Sequence, residues 1–75
     1  MMSYMEIANC QDYAERVLSY YRLWHKGEEP KDPAEAELAV REYNKERKSF
    51  KLLYGYSIRG YIPAIVNCIG WIVEN

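Results

Sequence analysis

Histidine occurs once in this chain, at position 25, phenylalanine once, and cysteine only at positions 10 and 68. These scarcities remove whole classes of chemistry. One histidine and two distant cysteines are too few soft ligands for a closed zinc site, and neither a CxxC nor an HxxxH spacing is present. Neither Cys10 nor Cys68 stands in a motif that would activate a thiolate. His25 precedes Gly27 at the end of a helical pattern, where a cation caps the helix dipole. Glu28 and Glu29 are adjacent carboxylates in a polar connection, and no Gly-rich phosphate loop occurs. The expectation is a protein with no catalytic residues, no metal, no cofactor and no small-molecule substrate, and therefore not an enzyme.

Long apolar runs are missing too. The most apolar stretch, residues 61–73, falls short of the ~20 residues a membrane span needs, and Pro63 and Asn67 interrupt it. Lying flat on a membrane would require a basic polar face, which this stretch lacks. Met1 to Glu6 contains neither the basic nor the apolar part of a secretory signal. These features predict a cytoplasmic protein that makes no membrane contact and keeps both cysteines reduced.

What is present is 75 residues, nearly half apolar and 28% charged, enough for one globular domain over residues 1–75. Eight tyrosines and two tryptophans crowd it. Such side chains fill thin cores and also enrich interfaces. The net charge of −1 argues against a general polyanion binder, but the charge is uneven. Residues 1–37 carry eight acids against four bases, whereas residues 38–75 carry six bases against three acids. That asymmetry can steer a charged partner or favour antiparallel self-association.

Periodicity predicts an all-α fold, a small three-helix bundle with helices at about 4–26, 33–53 and 63–74. Ser3 and Glu6 have capping-box spacing, and Ile7, Cys10, Ala14, Val17, Tyr21 and Trp24 then form one seam. Gly27 is expected at the left-handed position that closes this helix. Asp32-Pro33-Ala34-Glu35 opens the second helix, whose inward face collects Ala36, Ala39, Val40, Tyr43, Phe50 and Tyr54. Residues 55–62 fit either a helical turn or an extended piece, and Pro63 then starts the third helix. Ile65, Ile69, Trp71 and Val73 belong to a face of that helix too wide for two neighbours to cover. These four are the candidate interface of a homodimer.

Three further sites follow from residue type and spacing. Tyr13, Arg16 and Tyr20 on the first helix, with Tyr56 and Tyr61 before the third, are candidate protein contacts, because hot spots favour Tyr, Trp and Arg. Arg41, Lys45 and Lys48 share a face of the second helix and are candidate nucleic-acid contacts, although a solvated, salt-bridged face is the favoured account of them. Finally, Leu53-Tyr54-Gly55-Tyr56-Ser57-Ile58-Arg59 resembles the lead-in to the first helix of helix-turn-helix DNA-binding units. The resemblance implies a base-reading helix downstream. Ala64 to Val73 departs from that pattern, offering none of the Arg, Lys, Gln or Ser side chains that read base edges.

Together these observations predict a small, non-enzymatic protein-binding module, an adaptor or inhibitor of a partner protein. Phage and mobile-element accessory proteins, anti-defence proteins among them, often have this character. The second reading is a nucleic-acid-associated regulator using the basic face of the second helix.

Overall fold

A computed structural model describes residues 4–47 and 58–74. Three α-helices form an all-α bundle in these residues: α1 Tyr4–Trp24, α2 Pro33–Arg47 and α3 Ile62–Glu74, with a single 3-10 turn at Ile58–Gly60 ahead of α3. The Ser3 cap, Lys48, Phe50, Tyr54, Tyr56 and the expected continuation of the second helix to residue 53 lie outside the described residues.

Helix α1 ends by a device slightly different from the expected one. The Gly27 amide donates to the Arg22 carbonyl at 2.9 Å, a bond that spans five residues. This makes Gly27 the second residue past the helix cap and Lys26 the first. Both are left-handed, with φ of 83° at Gly27 and 54° at Lys26. The sequence expectation moves by one position, so that a lysine occupies the conformation usually left to glycine.

The start of α2 follows the sequence closely. Asp32 Oδ1 accepts from the Glu35 amide at 2.8 Å, the bond of an N-cap to the third helical residue. The Glu35 carboxylate returns a bond by accepting from the Lys31 amide at 3.0 Å, one residue before the cap. Pro33, in the first turn, has no amide to leave unsatisfied. At α3 the Tyr61 carbonyl accepts from the Ile65 amide at 2.9 Å, so Tyr61 is the cap residue. Pro63 is then the second residue of the helix, still within the turn whose amides have no intrahelical partner.

Helix α3 lies against both α1 and α2. The core draws Cys10, Tyr13, Ala14, Val17 and Leu18 from α1, and Ala36, Ala39, Val40 and Tyr43 from α2. Tyr61, Ile62, Ile65 and Ile69 complete it. The seam of α1 is thus wider than expected, taking in Tyr13 and Leu18 on its two flanks, because α1 is covered from two sides. Trp24 is in phase with that seam yet 67% exposed, since its last turn is left largely uncovered. No polar or charged residue is among the buried residues described. Cys10 and Cys68 form no disulfide.

Candidate functional site

Burial decides which candidate residues can meet a partner. Tyr13 is 6% exposed and Tyr61 is also in the core, which takes both off the surface where the sequence reading had put them. Tyr13 lies edge-on to Tyr43 with ring centres 5.4 Å apart, and its hydroxyl donates to Asn44 Oδ1 at 3.4 Å. Its polar end is thereby satisfied at the edge of a buried ring, as a core tyrosine requires. Arg16 is exposed and pairs with Asp12 at 3.2 Å, and Tyr20 is half-buried. A helix period puts Tyr13 nearer the seam than Tyr20, and this was the signal that could have separated them.

The wide apolar face of α3 divides the same way. Ile65 and Ile69 belong to the chain's own core and leave no surface for a second copy. Ala64, Val66, Cys68, Ile72 and Val73 are half-buried against that core, while Trp71 is 63% exposed. Of the four residues expected at an interface, Trp71 is exposed and Val73 half-buried, and the expectation for Ile65 and Ile69 is corrected by their burial. Beside Trp71 runs an open groove of about 470 Å³. Pro30 of the α1–α2 connection and Pro33 at the start of α2 supply one side, and α3 the other, through Val66, Ile69, Gly70 and Val73. Gly70 contributes by having no side chain, since a Cβ there would meet nothing within 4 Å. Pro30 and Gly70 were not singled out from sequence, because a groove between a loop and a helix leaves no periodic signal.

A second, smaller pocket of about 280 Å³ opens between α1 and α2. Tyr20, Tyr21, Trp24 and His25 line it from α1, and Ala39, Glu42 and Glu46 from α2. Tyr20 and Trp24 have ring centres 6.3 Å apart with planes inclined at 58°. Tyr21 and His25 stack at 4.0 Å and 13°. Burial, together with the negative charges of Glu35 and Glu28 and a hydrogen bond to Glu35, holds the Tyr21 phenol above its ordinary pKa.

On the basic face of α2, Arg41 Nε donates to Glu37 at 3.1 Å and Lys45 is exposed. Part of that face is therefore an ordinary helical ion pair. Among the described residues no group of three or more His, Cys, Asp or Glu could hold a metal. No helix in them is long and apolar enough to cross a membrane. Compared with family models, curated proteins and solved structures, the chain matches none.

Proposed function

We propose that this chain is a non-catalytic protein-binding module, an adaptor or inhibitor that acts by covering part of another protein. The observation that carries the reading is the exposed indole of Trp71 at the edge of an open groove, whose apolar lining is interrupted by Lys31, Asp32, Asn67 and Glu74. Tryptophan is the residue most enriched among interface hot spots, and a groove beside it can take an apolar anchor from the opposite surface. In the isolated chain a second copy is the first occupant. In a two-fold dimer the same patch, Trp71 and the groove it borders, would face its own copy, as a self-complementary interface requires.

Selection of a random peptide library on the immobilised chain tests the docking role without knowledge of the natural partner. The expected outcome is enrichment of peptides with an aromatic or branched apolar anchor, none of which bind Trp71→Ala. Peptides that bind both forms equally, or no enrichment, would overturn the proposal. The nucleic-acid reading is separated by salt. Binding through Arg41 and Lys45 would weaken steeply as salt rises, whereas apolar docking would hold.

A further inference from the structure

Trp24 places a large aromatic surface in solvent at the mouth of the smaller pocket, and the pocket's chemistry explains what that surface can meet. Tyr20 and Trp24 present two π faces at an open angle. Tyr43, a core residue, packs against Tyr20 in an edge-to-face arrangement at 5.4 Å and 74°. Glu42 and Glu46, one helical turn apart on α2 and both exposed, line the same pocket. Among the described residues the ion pairs are Asp12–Arg16, Arg22–Glu29 and Glu37–Arg41, and none of them includes Glu42 or Glu46. Like charges at this spacing destabilise a helix only slightly, and Lys45, between them in sequence, is exposed. Trp24 also ends α1, where the helix dipole is negative. No lysine or arginine among the described residues lines the pocket.

Two aromatic faces, two carboxylates and a helix C-terminus all favour a positive ligand. Size narrows the choice. At about 280 Å³ the space lies below the usual range of roughly 300–1,000 Å³ for drug-sized ligands, so a single head group suits it better than a nucleotide. A bare ammonium is strongly hydrated and gains little from an indole, while alkyl groups weaken its hydration and add apolar contact. We infer that this pocket binds an alkylated ammonium head group, carried by a free quaternary amine or by a methylated lysine side chain. The pocket shares no lining residue with the groove beside Trp71, so the two proposals stand or fall separately.

The test is an NMR titration of the full chain with choline at constant ionic strength, following the two indole N–H resonances assigned with Trp71→Phe. Choline is expected to shift the Trp24 resonance saturably in the millimolar range and to leave that of Trp71 in place. The neutral isostere, with carbon in place of the quaternary nitrogen, is expected to bind more weakly. The Glu42→Gln/Glu46→Gln double variant is expected to weaken choline binding about two- to five-fold. A peptide bearing trimethyl-lysine separates the sources: tighter binding than choline indicates a modified protein, equal or weaker binding a free amine. Absence of a saturable Trp24 shift, equal binding of the isostere, or an unchanged double variant would each overturn the inference.

Discussion

Ile65 and Trp71 lie on the same short helix, and truncating each to alanine should have very different consequences. Ile65 is fully buried at the meeting of three helices. Removing three carbons costs roughly 2.5 kcal/mol of transfer energy at about 0.8 kcal/mol each, and the cavity left behind brings the total to roughly 3–4 kcal/mol. A chain of this length has about 4–11 kcal/mol of stability in all, so Ile65→Ala should remove a large fraction of it. Trp71 is 63% exposed, so little more than a third of its surface is covered. From roughly 200 Å² for a tryptophan, that burial amounts to at most about 2 kcal/mol. The better helix propensity of alanine offsets about 0.5 kcal/mol of it, and a compact unfolded state offsets more. Trp71→Ala should therefore cost roughly 1 kcal/mol. Urea denaturation followed by circular dichroism, at concentrations where the chain is monomeric, separates the two. Equal losses would mean that Trp71 is a core residue and that no docking surface lies beside it. A loss below about 1 kcal/mol for Ile65→Ala would mean that α3 is not packed as described.

Three local devices give further expectations. Asp32→Ala removes the 2.8 Å bond to the Glu35 amide and should cost about 1 kcal/mol in the same assay, with Asp32→Asn close to neutral. Lys26→Gly places glycine where the backbone is already left-handed, at φ 54°, and should raise stability by about 1 kcal/mol; a decrease would contradict the cap assignment. Tyr21 holds its proton more tightly in the fold than in the unfolded chain, because of burial, Glu35 and Glu28. Its contribution to stability is complete below the ordinary phenol value of about 10 and is lost as pH rises through the higher folded value. Tyr21→Phe should therefore flatten the alkaline loss of stability, and an unchanged pH profile would refute the linkage.

The architecture was legible because each helix carries its own start signal and a periodic face. Cys10, Ala14 and Val17 on α1, and Ala36, Ala39, Val40 and Tyr43 on α2, are core positions that period alone identifies. Tyr13 and Leu18 were missed because the width of a buried stripe depends on how many neighbours flank it, which no single helix encodes. Trp24 misleads for the complementary reason: it keeps the phase of the seam but lies where the cover has thinned. On α3 the apolar excess was legible, but its division was not. Which residues face α1 and α2, and which face outward, depends on the rotation of the helix in the bundle. That rotation puts Ile65 and Ile69 inside and Trp71 outside. The groove and the aromatic pocket were illegible, since each joins residues from two elements distant in sequence.

The most direct measurement is light scattering on a sizing column over a wide concentration range, at low and high salt, for the wild-type chain and Trp71→Ala. If the outer edge of α3 is an interface, the wild type forms a dimer at both salts and Trp71→Ala is monomeric while retaining its helical circular dichroism. A wild-type chain that stays monomeric at every concentration, or a dimer that Trp71→Ala leaves intact, would contradict it.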